Sequence, residues 1–210
     1  MIHPRSRWNG QALIAAGAAL AIGMLIHPPA MPPDALTSPQ WLIAHAVIVG
    51  SVILSLFGLS ALHAAQAERS GWLGAAGFAL SFVGSALVVV AIVFDAFVVP
   101  ALSADPAGRA LAAESGPLLG GPLGITLLLA GVSYALGTLM LGAATVRAGV
   151  LPRVAGSLLA LGGPLMGLTP PLPELAFLVG ALLVSASYIW LGLALRGARQ
   201  RVVEPGIAGA

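Results

Sequence analysis

The chain has 210 residues, 59% of them hydrophobic and only 8% charged, with a net charge of +2. Roughly a quarter of a soluble domain is charged, and a soluble fold of this size has no interior that could hide so much apolar surface, so the bilayer must act as solvent. The absence of cysteine excludes disulfides, thiolate nucleophiles, iron–sulfur clusters and c-type haem attachment, and the absence of lysine excludes Schiff-base chemistry and any P-loop.

About 20 helical residues, at ~1.5 Å each, cross the ~30 Å hydrocarbon layer. Six such segments are expected. The first, 10–27, follows Arg5 and Arg7 and is stopped by Pro28 and Pro29, because proline cannot continue the hydrogen-bond ladder. Its basic start has the look of a signal peptide. Yet His27-Pro28-Pro29 and Pro32-Pro33 occupy the place of a small-x-small cleavage site, so a retained first helix is expected.

The second segment, 41–66, starts at Trp41 as an outer interfacial anchor, and the third, 72–103, starts at Trp72 as an inner one. The third is longer than an untilted span, so its last turns should emerge outside. The loop from Ala104 to Gly116, with Asp105, Arg109 and Glu114, reads as short and solvated. The fourth segment is 122–146. The fifth, 154–169, is short and interrupted by Gly162-Gly163-Pro164. That interruption reads as a packed kink rather than a discontinuous, ion-coordinating helix, because no charged coupling residue lies near the midplane. The sixth segment is 175–195, which makes 1–196 one transmembrane domain and 197–210, with Pro205, a flexible cytoplasmic tail.

The arginines orient these segments. Arg5, Arg7, Arg69, Arg147, Arg153, Arg196, Arg199 and Arg201 fall on one side, and only Arg109 on the other. Cytoplasmic loops carry the basic excess, so the expected fold is an all-α six-helix transmembrane bundle of a bacterial cytoplasmic membrane, both termini inside. Dispersal of the arginines in short loops argues against a nucleic-acid partner.

Small residues recur at four-residue spacing: Ser51 and Ser55, then Gly77, Ser81 and Ser85, then Gly120 and Gly124. Lipid supplies no hydrophobic drive for helices to associate, so such stripes are expected at helix contacts. A weak parallel repeat links segments 1–2 with 5–6, Met24–Pro29 matching Met166–Pro171. It aligns His27 with Thr169 and His45 with Val179, so the scaffold can be built without those histidines.

An ionisable side chain at mid-membrane costs upward of ~3 kcal/mol, and few exist here. His45 lies ~6 Å of helix rise beyond Trp41, Asp95 lies ~35 Å beyond Trp72, and His27 ends the first segment. The three share an outer depth. They are expected to form an outward-facing polar pocket in which Asp95 orients or charges His45, with Tyr134 and Ser133 lining the same cavity. The plainer alternative has His27 and Asp95 solvated at helix ends, His45 bonded to backbone, and Tyr134 bonded between helices.

Other chemistry is weakly supported. His63 lies five helical turns from His45 on nearly the same face, which invites a two-haem reading, but only His3 could be its inner partner and Arg109 alone would face outer propionates. No haem, other cofactor or metal is therefore expected, and no His-Glu-x-x-His spacing supports zinc in spite of acceptable ligand types. Glu174 reads as a cap or a solvated residue.

The leading expectation is a binding protein for a small amphipathic or lipid-like ligand, with His45, Asp95, His27 and Tyr134 at the site. The runner-up is an accessory subunit packed against partner membrane proteins in a larger complex. An intramembrane enzyme with His45 as acid or base is a second alternative, without a second catalytic group to define a reaction. Reporter fusions test the arrangement: fusions after Arg69, after Gly149 and at the C-terminus are expected to report cytoplasm, and one near Arg109 the opposite side. A periplasmic C-terminus would overturn it.

Overall fold

In the computed structural model the backbone is described for residues 6–28, 33–113, 116–168 and 172–203, and side chains for 10–28, 35–113, 116–168 and 172–197. His3, Arg5, Glu114, Thr169 and the tail from 204 lie outside the described residues, as do the side chains of Arg7, Trp8, Arg199 and Arg201. The elements are α1 (Ser6–Ile26), α2 (Pro39–Val93), α3 (Val99–Ser103), α4 (Pro106–Ala112), α5 (Pro122–Ala148), α6 (Arg153–Gly167) and α7 (Glu174–Val203). A 3-10 turn (Pro33–Thr37) leads into α2 and a π turn (Phe94–Val98) leaves it.

The protein is all-α. Three helices are long and apolar enough to cross a membrane, Pro39–Ser103, Pro122–Ala148 and Glu174–Gly197, and a shorter apolar helix covers Gly10–Ile26. This is the make-up of an integral membrane protein. Large apolar side chains such as Leu25, Ile43, Phe57, Leu128, Leu161 and Leu175 point outward, as they do where lipid is the solvent.

α2 is two antiparallel arms. Gly71, at φ 57° and ψ −153°, folds the second arm back on the first, a backbone conformation that side chains forbid. The arms meet at both ends: the indole Nε1 of Trp41 donates to the carbonyl of Asp95 at 3.1 Å, and His63 stacks on Phe78 with ring centroids 4.8 Å apart. Helix persists to Ser70 and the reversal takes one residue, where the sequence suggested a loop from 67 around Arg69.

Six rods then close a ring. α1 packs on the first arm, α7 on α1, α6 on α7, α5 on α6, and the second arm on α5. Small residues make the seams other than that between the two arms. Gly58 faces Leu13, Gly17 faces the carbonyl of Ser185, Gly162 and Gly180 face one another, as do Gly142 and Gly156, and Gly84 abuts the backbone of Tyr134. The apolar centre is filled by Leu13, Leu59, Leu62, Leu141, Leu159 and Leu191.

Other departures from the sequence reading have local causes. The segment expected as a solvated outer loop contains α4, because Asp105 accepts from the amide of Gly108 at 2.8 Å and Pro106 fits the first turn. α6 runs through Gly162-Gly163-Pro164 without interruption; Gly163 lies on Thr138 and Gly162 on Gly180, so the neighbours hold the helix across the missing proline donor. α7 continues past Leu195 to Val203, since nothing before Pro205 stops it.

The seams predict a contrast. A Cβ at Gly84 would collide with main-chain atoms of Tyr134, whereas one at Gly50 meets nothing within 4 Å. Gly84→Ala is expected to cost about 1–3 kcal/mol through overpacking, and Gly50→Ala to be neutral or to stabilise by up to ~1 kcal/mol through helix propensity. Thermal unfolding in detergent reads both.

Candidate functional site

Three rings meet at the N-terminal end of the first arm. His27, Trp41 and His45 form a closed trio, with centroids 5.0 Å apart for His27–Trp41, 4.9 Å for His27–His45 and 4.4 Å for Trp41–His45. The spacing explains it. Side chains on a helix lean back over the preceding turn, so His45 reaches the residue four before it, and its Nδ1 lies 2.9 Å from the carbonyl of Trp41. His27 arrives from the end of α1, whose last carbonyl, Ile26, accepts from Nε2 of Gln40 at 2.8 Å.

The carbonyl of Trp41 can only accept, so Nδ1 of neutral His45 carries the proton. Nε2 is then the acceptor nitrogen, and it makes no hydrogen bond among the described residues. His45 is buried and His27 half-buried.

Asp95 joins this site through its main chain. Val99 donates to the carbonyl of Phe94, the shifted register of a π turn, and Pro100 has no N–H. The carbonyl of Asp95 is left without a main-chain donor, and Trp41 supplies one. The carboxylate itself is exposed. It is near enough to His45 for their charges to interact, and it forms no ion pair among the described residues. Glu174, at the start of α7, is likewise close enough to act electrostatically on His27.

Tyr134 sits deeper. It is buried on α5 beside Tyr188 of α7, and the Tyr188 hydroxyl lies next to those of Tyr134 and Ser55 without reaching hydrogen-bond geometry with either. The chain's two tyrosines therefore meet each other. The sequence reading missed Tyr188, although both lie ~18–21 Å along their helices from the outer ends and so share a depth. The hydroxyls of Ser81, Ser85 and Ser185 are also buried without a partner. Farther in, Nε2 of Gln66 donates to Oγ1 of Thr145 at 2.9 Å, and Thr145 donates to Leu141. His63 lies half-buried against Phe78.

A groove of about 390 Å³ opens between the 3-10 turn and the π turn, with walls from Leu36, Pro39, Trp41, Leu42, Phe97 and Pro100. Trp41 lines this groove and also packs on the two imidazoles. Among the described residues, no three His, Asp or Glu side chains gather as a metal site requires. Comparison with protein-family models, with curated proteins and with solved structures gives no match.

Two truncations compare a bonded polar atom with an unbonded one. Trp41→Phe leaves the carbonyl of Asp95 without a donor and removes one buried ring of the indole, and is expected to cost at least about 1–3 kcal/mol. Tyr188→Phe removes a hydroxyl that has no well-formed bond and is expected to leave thermal stability unchanged or slightly raised. An equal loss in both would show that the tyrosine hydroxyl is a bonded member of the core.

Proposed function

We propose that the protein is a six-span bundle of a cytoplasmic membrane, with both termini inside, that binds a small amphipathic, lipid-like molecule at its outer face. The observation that carries the reading is the double contact of Trp41. Its indole helps to line an open apolar groove and also packs on His45 and His27. Ligand sites join a mostly apolar lining to a few polar groups that fix orientation. The apolar part of the ligand takes the groove, and its polar end, a hydroxyl or a protonated acid, donates to His45. The exposed carboxylate of Asp95, on the same turn as Phe97, disfavours a permanently anionic head group.

The six-span part rests on folding Pro39–Ser103 in two at Gly71 and on the arginine asymmetry. A role as a subunit of a larger complex is the second reading, supported by the many apolar side chains on the outer faces of the rods.

Photo-crosslinking tests the ligand. A diazirine-bearing long-chain alcohol, added to the protein in nanodiscs, is expected to label 36–42 and 96–100 ahead of the other outward faces. His45→Ala should weaken that labelling roughly fivefold, the worth of one hydrogen bond of about 1 kcal/mol. Even labelling around the ring, with His45→Ala silent, would remove the ligand reading and leave the subunit.

A further inference from the structure

The opposite end of the molecule holds a larger depression. Where α5 ends, Gly149 takes a left-handed turn (φ 62°) and the chain passes through Val150, Leu151 and Pro152 into α6. These residues face Trp190, Leu193 and Ala194 of α7 across a groove of about 720 Å³. Val150, Trp190 and Leu193 are exposed, so the apolar walls are open along their length.

The rim is basic. The guanidinium of Arg153 lies over Gly149, at ordinary contact distance from where a Cβ would be, and forms no ion pair among the described residues. Arg147 and Arg196 are exposed at the same end of α5 and α7. No carboxylate occurs anywhere between Glu114 and Glu174 or between Glu174 and Glu204. The helices that build the groove thus place positive charge at its end and no negative charge along it.

We infer that this groove holds an anionic phospholipid of the inner leaflet. Its acyl chains lie along Val150, Leu151 and Leu193, the glycerol region is level with Trp190, and its phosphate faces Arg153. Three features converge on that occupant. An aromatic ring with a polar N–H prefers the depth of the head groups. Basic pockets between transmembrane helices on the cytoplasmic side attract anionic head groups at about 1 kcal/mol per arginine. The guanidinium fork also suits phosphate better than a point charge does. A partner helix would meet the same apolar walls but would leave the unpaired arginine unexplained. The inference rests on the membrane-spanning reading, and its test separates the two.

The full chain is placed in nanodiscs containing a small fraction of bromine-labelled phosphatidylglycerol or, in parallel, bromine-labelled phosphatidylcholine. The signal of Trp190 is the part of the fluorescence that Trp190→Phe removes. The anionic lipid is expected to quench it at roughly fivefold lower mole fraction than the zwitterionic one. High salt and Arg153→Gln should abolish that preference, while Arg153→Lys keeps part of it. Since Arg153 is exposed, both variants should melt like the wild type in zwitterionic nanodiscs. Inorganic phosphate in solution should not relieve the quenching. Equal quenching by the two lipids, a preference that survives Arg153→Gln, or displacement by inorganic phosphate would overturn the lipid site while the membrane reading stands. Quenching by neither would overturn both, or reveal a protein partner seated in the groove and so exclude the lipid.

Discussion

The architecture depends on main chains being able to touch. Where lipid is the solvent, apolar side chains gain nothing by turning inward, and helices adhere through van der Waals contact at close range. Every seam of the ring except that between the two arms has a residue too small to hold the backbones apart, whether Gly58 against Leu13, Gly162 against Gly180, or Gly84 against Tyr134. The leucines at the centre follow from this rather than cause it. They fill the space that the closed ring encloses, and the large residues left over face outward.

Glycine seams allow close approach but define register poorly, since a smooth face can slide along another. Hydrogen bonds between rods supply the register. Ser51 donates to the carbonyl of Ala16 at 2.7 Å, pinning the first arm to α1, and Ser187 donates to Ala155 at 2.8 Å, pinning α7 to α6. Gln66 ties the first arm to α5 through Thr145. Because Thr145 spends its own proton on Leu141, it can only accept, and this fixes which end of the Gln66 amide faces it. Each such bond is worth about 1 kcal/mol, and a displacement of the first arm by one helical turn would lose both of its bonds, to α1 and to α5, together.

Much of this was legible in the sequence, and the limits have physical causes. Apolar run lengths and arginine spacing gave helical segments close to those observed, because both respond to the membrane directly. The proximity of His27 to His45 could be read from depth alone, since His27 follows the last turn of α1 and His45 lies near the start of the next, antiparallel rod. Depth does not fix the direction of a side chain around the helix. Tyr134 was therefore assigned to the outer site, whereas it faces Tyr188 across the ring. The part taken by Trp41 was hidden for another reason. It arises from a carbonyl orphaned by a π turn and by Pro100, and a π turn leaves no mark in hydrophobic periodicity. Likewise the sequence marked Gly162-Gly163-Pro164 as a break because local propensity says so, and packing on both sides overrides it.

The buried polar groups along the first arm bear on what the fold can do. From outside inward they are His45, Ser51 and Ser55, and then Gln66 and Ser70. Between Ser55 and Gln66 the buried positions are Gly58, Leu59 and Leu62, and Leu13, Leu141 and Leu191 close the same region from the neighbouring rods. Ser55 and Gln66 are separated by ~16 Å of helix rise, several times the span of one hydrogen bond, and between them on the first arm lie Ser60, whose hydroxyl donates to the carbonyl of Leu56, and the half-buried His63. The buried polar side chains of the first arm thus fall into two groups, one towards each end, with Gly58, Leu59 and Leu62 buried between them and set against the leucines of the neighbouring rods.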